Sequence, residues 1–250
     1  MIPWLTEAIE FPAPEMALRP PNPNGLLAAG GDLSPQRLLA AYQRGIFPWF
    51  SPGDPILWWS PAPRMVLYPS ELKISRSLDK TLRNTSYEVK LDTAFPEVIK
   101  ACAAQPREGQ NGTWICPEMV EAYTELHRRG FAHSVETWID GTLQGGLYGI
   151  ALGRVFFGES MFSLRKDTSK IALAHLCAHL INLDVAIIDC QMETRHLASL
   201  GAKPIDGEAF LAEIKSLVAT SPGLWSATAI TGHFQRTLEQ TLSPSWRPAE

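Results

Sequence analysis

The sequence has few cysteines and no long apolar run, and both absences limit the kind of protein it can encode. Its four cysteines are scattered over 250 residues without a C-x-x-C pair, a spacing that fits neither a zinc site nor a small disulfide-held scaffold. No stretch approaches the roughly 18 apolar residues that a membrane helix needs. The first 20 residues lack a basic segment followed by an apolar run, so we expect no signal peptide. These absences predict a cytoplasmic protein with reduced thiols and no membrane partner.

The chain also lacks an excess of positive charge. Its 22 Lys and Arg residues are outnumbered by 26 Asp and Glu residues, so the formal net charge is −4 at pH 7. This balance excludes a protein that coats nucleic acid through bulk charge, although it permits local basic patches. Two basic runs occur, at residues 73–83 and 164–170, and their simplest interpretation is a solvated polar face. No G-x-G-x-x-G motif or P-loop is present.

The chain is rich in ring-bearing and rigid residues. Eight tryptophans and 20 prolines stand in a chain that is 45% hydrophobic, long enough to bury one large core or two modest ones. After an irregular arm over residues 1–33, Ser34 and Pro35 predict the start of a helix by N-cap and first-turn preference. The aromatic segment that follows, residues 46–61, is interrupted by prolines and cannot form a long helix. We expect it to form a rigid loop that holds its rings in fixed positions.

The second half of the chain has a clear order of predicted elements. Alternating and periodic apolar residues predict three strands, a helix, a strand and a helix, over residues 133–139, 143–152, 155–163, 169–183, 185–191 and 195–200. This order predicts a mixed sheet with a crossover helix, and therefore an α+β fold. We place a domain boundary within residues 85–130. It separates an N-terminal domain, residues 1–85, from a C-terminal domain, residues 86–250.

The strand over residues 185–191 becomes polar at its end. Asp189 and Gln191 stand two residues apart, which places both side chains on one face of a regular strand. Because ligands gather beyond the carboxyl ends of strands in open α/β sheets, this pair is a candidate site. The structural alternative is that Asp189 caps the next helix and Gln191 begins a loop.

A second candidate is the carboxylate within the aromatic run at residues 156–163. In a regular strand Glu159, Met161 and Ser163 share one face. A buried carboxylate is costly unless it is partnered, which makes Glu159 a candidate site residue. The alternative is an ion pair with a nearby Arg or Lys.

Two other patterns resemble catalytic motifs only in part. Gly158-x-Ser160 is similar to the nucleophile elbow of serine hydrolases, but Phe162 stands where the elbow needs a second Gly. His175 and His179 have the i, i+4 spacing of two zinc ligands, but the Glu and the third ligand are missing. We expect these two histidines to be solvated on the polar face of their helix.

Seven short segments are more specific when taken together. They are NGLL at residues 24–27, GGDL at 30–33, YQRGIFPWF at 42–50, WWSP at 58–61, GTWI at 112–115, GESMFS at 158–163 and IDCQ at 188–191. In this order they resemble the leucyl/phenylalanyl-tRNA–protein transferases, with a resemblance that runs from about residue 11 to residue 203. That family moves Leu or Phe, with Met as a further donor, from aminoacyl-tRNA to an N-terminal Arg or Lys of a protein. The modification marks the acceptor protein for degradation.

The resemblance also implies a fold. It implies a small N-terminal α/β domain and a C-terminal mixed-sheet domain similar to the N-acyltransferases, of acetyltransferase type. The glycine-rich coenzyme A turn of that superfamily is absent, and the basic residues 165–170 stand in its place. This replacement is expected if the end of a tRNA, rather than a coenzyme, supplies the acyl group.

The family's reactive pair corresponds to Asp189 and Gln191. The resemblance implies that Asp189 orients the acceptor α-amine, or accepts its proton, and that the side-chain carbonyl of Gln191 fixes the direction of the amine. Because an aminoacyl ester is already activated, no metal, cofactor or covalent nucleophile is implied.

The family's substrate-binding positions correspond to further residues of this chain. Met161, Leu176 and Leu180 are expected to line an apolar pocket for the donor side chain. The remaining positions, expected to hold the aminoacyl-adenosine end, are Trp49, Trp114, Glu159 and Ser160, with the two tryptophans stacking on the adenine. The expected partners are therefore aminoacyl-tRNA and proteins with N-terminal Arg or Lys, bound by a monomer.

Two rival functions remain open from the sequence. One is a binding module of the same fold that recognises aminoacyl-tRNA or protein N-termini without transfer. The other is a metal-dependent hydrolase that uses His175 and His179.

Overall fold

Strands and helices are mixed throughout the computed structural model, which describes residues 2–105 and 114–220. The described strands are β1 (Trp4–Leu5), β2 (Leu26–Gly30), β3 (Phe47–Pro48), β4 (Leu57–Trp59), β5 (Arg64–Leu67), β6 (Glu88–Leu91), β7 (Ala132–Ile139), β8 (Thr142–Leu152), β9 (Val155–Ser163), β10 (Ile187–Gln191) and β11 (Lys203–Ile205). The described α-helices are α1 (Pro35–Tyr42), α2 (Arg76–Asn84), α3 (Phe95–Ala103), α4 (Pro117–Arg128), α5 (Thr168–Asn182), α6 (Arg195–Ser199) and α7 (Gly207–Val218). The start of the GTWI segment, Gly112 and Thr113, lies outside the described residues.

The larger of two sheets has seven strands in the order β11-β5-β10-β9-β8-β7-β6. Its neighbouring strands are antiparallel except β9 and β10, which are parallel and are connected through α5. The predicted β-β-β-α-β-α order, its crossover helix and the α+β class are therefore confirmed. Strand β5 joins this sheet from within the first 85 residues. The division of the chain near residue 85 stays a prediction, as does the likeness to N-acyltransferases.

The large sheet is buried on both faces. Neighbouring residues of its central strands enter different core clusters, with Leu147 and Phe156 on one side and Tyr148 and Phe157 on the other, as the alternation of a strand requires. Helix α5 covers the first side, while α3, α4 and α7 contribute to the core on the second. Helix α2 packs on the outer side of α5, so that α5 is enclosed from both directions.

The smaller sheet, β1-β2-β4-β3, anchors the N-terminal arm. Trp58 is fully buried at its centre, and its Nε1 donates to the Gly30 carbonyl oxygen at 2.9 Å. The buried Arg37 of α1 donates to the Thr6 carbonyl oxygen at 2.7 Å. The predicted cap of α1 is confirmed, since Ser34 Oγ accepts from the backbone N–H of Arg37.

The aromatic segment differs from its expected loop. Residues 47–48 and 57–59 pair as antiparallel strands, with Phe47 opposite Trp59. Aromatic side chains fit a pleated, half-buried surface. Pro52 and Pro55 lie in the connection between the two strands, and Pro48 ends β3. Among residues 2–105 and 114–220, no helix is both long enough and apolar enough to cross a membrane.

Candidate active site

A cavity of about 620 Å³ opens where β10 ends, beside the middle of β9. Its walls come from β3, β8, β9, β10, the first half of α5 and the start of α6. Apolar side chains form most of the lining, among them Phe47, Leu67, Leu147, Phe156, Met161, Leu173, Leu176 and Ile188. A mainly apolar cavity with a few polar groups is the usual form of a small-molecule site.

Glu159 is the central polar group of this cavity. It sits in a β-bulge, because Tyr148 pairs with Ser160 while Gly149 pairs with Gly158. A Cβ on Gly149 would collide with the Phe157 carbonyl oxygen, so a glycine is required at this close approach. The bulge places an extra residue between two paired positions and directs its side chain into the core.

Three neutral donors surround the buried Glu159 carboxylate. Its Oε1 accepts from the Tyr42 hydroxyl at 2.8 Å and from Gln191 Nε2 at 2.7 Å. Its Oε2 accepts from the Tyr123 hydroxyl at 3.1 Å. The two tyrosine oxygens also lie in hydrogen-bond contact; because each hydroxyl carries one proton, this third contact takes its proton from protonated Glu159. The alternative of a simple ion pair with Arg or Lys does not describe this carboxylate.

Burial raises the pKa of Glu159 to about 7, against the lowering effect of these hydrogen bonds. The negative charge of Asp189 contributes to this rise. Burial also raises the pKa of both Tyr42 and Tyr123, so their hydroxyls keep their protons and remain donors. A carboxyl group that titrates near neutral pH inside a cavity is suited to proton transfer.

Asp189 is fully buried and lies outside the cavity lining. Its Oδ1 accepts from Arg64 Nε at 2.8 Å and its Oδ2 from Arg64 Nη2 at 2.6 Å, a two-point ion pair. Its Oδ1 also accepts from the backbone N–H of Gln191 at 2.8 Å. The β10–β5 register shifts between Asp189 and Gln191, so the simple alternation that predicted a shared face is wrong here. The cap of the next helix is Thr194 and not Asp189.

Two tryptophans stand at other walls of the cavity. Trp49 is half-buried, and its ring meets that of Trp59 edge to face with centroids 5.3 Å apart. Its carbonyl oxygen accepts from Trp59 Nε1 at 2.6 Å, which fixes the backbone beneath the ring. Trp114 lines the cavity and also packs into the larger core cluster.

Two family models describe most of this chain. Residues 66–215 match the model of the leucyl/phenylalanyl-tRNA protein transferases, and residues 31–62 match that of their N-terminal domain. This chain belongs to the leucyl/phenylalanyl-tRNA–protein transferase family. It is therefore an aminoacyltransferase.

Curated relatives agree with this family. The protein named leucyl/phenylalanyl-tRNA–protein transferase in Chromobacterium violaceum is 63% identical over 218 residues, which cover 87% of this chain and 92% of the relative. The proteins of the same name in Aromatoleum aromaticum and Nitrosomonas europaea are 60% and 61% identical, over 90% and 88% of this chain and 95% and 92% of the relatives. The resemblance inferred from the seven segments is thus confirmed.

The structure brings together most of the residues that the transferase resemblance singled out. Those that line the cavity are Trp49, Trp114, Glu159, Ser160, Met161, Leu176 and Gln191. Two do not: Asp189 is held behind the lining by Arg64, and Leu180 lies one turn beyond Leu176 in the fully buried core. Leu180 is thus not part of the described lining, and its contribution to a donor pocket stays a prediction.

The two histidines of α5 are buried rather than solvated. His175 and His179 are 1% and 3% exposed, and burial lowers their pKa to about 3 and about 4. The prediction failed because residues outside α5 contact both rings: the Tyr87 hydroxyl lies 3.2 Å from His175 Nε2, and His179 interacts with His133 and Asp92. Within the described ranges, no group of three or more His, Cys, Asp or Glu side chains could hold a metal ion.

Sequence reasoning missed three residues of this site. Tyr42 and Tyr123 hold Glu159, but each stands at a core position of its helix, where an aromatic residue carries no distinctive signal. Arg64 is the first residue of β5, a short strand whose own sequence does not indicate a distant partner. One sequence feature could have indicated the pair of Arg64 and Asp189: each is a charged residue within or beside an apolar strand, where a charge needs a partner.

Proposed function

We propose that this protein transfers a leucyl or phenylalanyl residue, or a methionyl residue, from aminoacyl-tRNA to the α-amine of an N-terminal Arg or Lys, and so marks that protein for degradation. The observation that carries the proposal is the contact between Glu159 and Gln191 at the polar end of an apolar cavity. It places a fixed amide and a buried carboxyl beside a pocket of the size of an amino-acid side chain and a nucleoside.

The amide of Gln191 has a defined direction in this arrangement. Because Nε2 donates to Glu159 at 2.7 Å, the carbonyl oxygen is left to accept from a ligand. An amine that donates one N–H to this oxygen is held with its lone pair free to attack the ester carbonyl. The C–N bond forms, the ester C–O bond breaks, and the departing ribose hydroxyl receives a proton. An aminoacyl ester is already activated, so holding the amine in this orientation provides most of the rate acceleration that the reaction needs.

Glu159 and Asp189 have different roles in this proposal. Glu159 lies in the cavity with a pKa of about 7, so its carboxyl can take a proton from the attacking amine near neutral pH. Asp189 lies outside the cavity lining, where Arg64 and the Gln191 backbone hold its carboxylate. We therefore assign Asp189 to positioning Gln191 rather than to direct proton transfer.

The donor side chain occupies the apolar wall. Met161 and Leu176 lie there with Leu147, Leu173 and Ile188. Unbranched and γ-branched side chains fit such a narrow apolar wall better than β-branched ones, and discrimination of this kind is worth about 1–3 kcal/mol. Ser160 lies beside Glu159 in the same lining and faces the aminoacyl end of the donor.

The nucleic-acid partner is held at its acceptor end. Trp49 and Trp114 offer rings for the terminal adenine, and stacking on an aromatic ring is worth about 1–3 kcal/mol per base.

On α2, Arg76, Lys80 and Arg83 follow i, i+4, i+7 spacing and are exposed, so they form one stripe. The buried Leu78 and Leu82 occupy the other side of the helix. The basic stripe of Arg76, Lys80 and Arg83 can contact acceptor-stem phosphates despite the net negative charge of the chain.

The reaction uses charged tRNA, so we assign the protein to the cytoplasm, where charged tRNA is made. We also propose that it acts as a monomer, because the described cavity is formed by one chain. The test is direct: mix the protein with charged leucyl-tRNA and a peptide beginning with Arg, and detect a Leu-Arg product by mass spectrometry. A peptide beginning with Asp is the control. Retained tRNA binding without product would favour the binding module, and activity lost to a chelator would favour the metal hydrolase.

A further inference from the structure

The backbone at Gln191 is held in an unusual conformation. Its φ is +63°, in the left-handed region that residues with a side chain seldom adopt. The register of β10 on β5 shifts between Asp189, which pairs with Val66, and Gln191, which pairs with Met65, so that Cys190 is an extra residue between them. A single side-chain contact, from the Gln191 N–H to Asp189 Oδ1 at 2.8 Å, closes this turn. The position of the Asp189 carboxylate therefore bears on the backbone of Gln191, from which the side-chain amide reaches Glu159.

Arg64 determines that position. Its guanidinium donates to both Asp189 oxygens, at 2.8 Å and 2.6 Å, and the two side chains are 1% and 0% exposed. Paired N–H donors fix a carboxylate in its plane as well as in distance, which a single ammonium cannot do. Arg64 thus orients Asp189, and through it the turn that carries Gln191.

The same guanidinium also supports the opposite wall of the cavity. It lies between two rings, 4.9 Å from the centroid of Phe47 and 4.7 Å from that of Phe210. Phe47 lines the cavity, and Pro48 and Trp49 of the lining follow it directly. One buried cation therefore joins the wall that carries Trp49 to the turn that carries Gln191.

We propose that Arg64 is a positioning residue of the transferase reaction, setting the distance between Gln191 and the Trp49 wall through Asp189 and Phe47. The inference rests on the proposed function. It differs from a purely structural role because it predicts a loss in the rate of transfer that exceeds any loss of stability or of donor binding.

The first test replaces Arg64 with Lys, which keeps the charge and removes the paired donors. We expect kcat to fall by about 100-fold, the effect of a displacement near 1 Å in a reacting geometry, with a much smaller rise in KM for leucyl-tRNA. The matched control is Arg37→Lys. Arg37 is equally buried, but it pairs with Asp32 and with carbonyl oxygens of the N-terminal arm. The Arg37→Lys substitution should lower the melting temperature of the protein and leave kcat unchanged.

The second test is rescue of Arg64→Ala by guanidinium at concentrations well below those that unfold the protein. A guanidinium ion fits the space between Phe47, Phe210 and Asp189, so we expect partial recovery of kcat in this variant and none in Arg37→Ala. If Arg64→Ala does not fold, Arg64→Met combined with Asp189→Leu serves instead, since an apolar pair can replace a buried ion pair. It should fold and transfer slowly.

The outcomes separate this inference from the function on which it rests. If the unmodified protein forms no Leu-Arg product, the proposed function fails. If the unmodified protein is active while Arg64→Lys, folded, keeps its kcat, or loses activity only through KM, then Arg64 is structural and the inference is overturned. Full activity of the folded apolar double variant would overturn it as well.

Discussion

Removing the hydroxyl of Tyr42 tests the proposed role of Glu159 most directly. In Tyr42→Phe the Glu159 carboxylate loses a 2.8 Å donor and keeps those of Tyr123 and Gln191. A hydrogen bond to a charged group is worth about 1.5–3 kcal/mol. Because it stabilises only the ionised carboxylate, its loss raises the pKa of Glu159 by about 1 to 2, from its present value of about 7.

The rate should change in a defined direction. Protonated Glu159 cannot take a proton from the attacking amine, so the acid limb of kcat/KM reflects its ionisation. At pH 7 about half of Glu159 is ionised in the unmodified protein, and the variant should therefore be about 5- to 50-fold slower. The rate of the Tyr42→Phe variant should recover at higher pH, where the Glu159 carboxyl group ionises.

The assay is the initial rate of Leu-Arg formation between pH 6 and 9, with one acceptor peptide for all proteins so that the titration of the acceptor amine is common to them. Tyr68→Phe is the matched control, because Tyr68 donates to Glu213 away from the cavity. A Tyr42→Phe protein with unaltered melting temperature and an unmoved acid limb would refute the role of Glu159.

Three further predictions follow from the same contacts. Folded Glu159 holds its proton up to about pH 7, against about 4.5 for an ordinary Glu, so folding takes up a proton in this window and the free energy of unfolding falls as pH rises through it. Relative to Glu159→Gln, urea denaturation of the unmodified protein should show a loss of up to about 3 kcal/mol between pH 4.5 and 7; parallel profiles would contradict the buried carboxylate. Leu176→Trp narrows the apolar wall and should reduce kcat/KM for phenylalanyl-tRNA more than for leucyl-tRNA, measured in competition; an equal loss would place the donor side chain elsewhere. Arg76→Glu with Lys80→Glu should raise KM for charged tRNA and flatten its dependence on salt, while Lys215→Glu on α7 should do neither; an unchanged salt slope would remove α2 from the tRNA contact.

The order of elements could be read from the sequence because it depends on neighbouring residues. Ser34 caps α1 as its residue type predicts. The crossover from β9 through α5 to β10 follows from alternation and period alone. Family motifs likewise depend on short segments, and they located the cavity lining well.

Tertiary structure decided the geometry of the site. The bulge at Glu159 and the register shift before Gln191 each break a strand's alternation, and both are fixed by pairing with strands distant in the chain. Arg64 and Asp189 are 125 positions apart, and Tyr42 and Glu159 are 117 apart. His175 and His179 are buried by residues outside α5, such as Tyr87 against His175, and the residue pattern of α5 does not indicate them. The sequence by itself determined local conformation and family membership, because both depend on short segments. Which carboxylate faces the cavity depends on non-local contacts, and only the folded chain decided it.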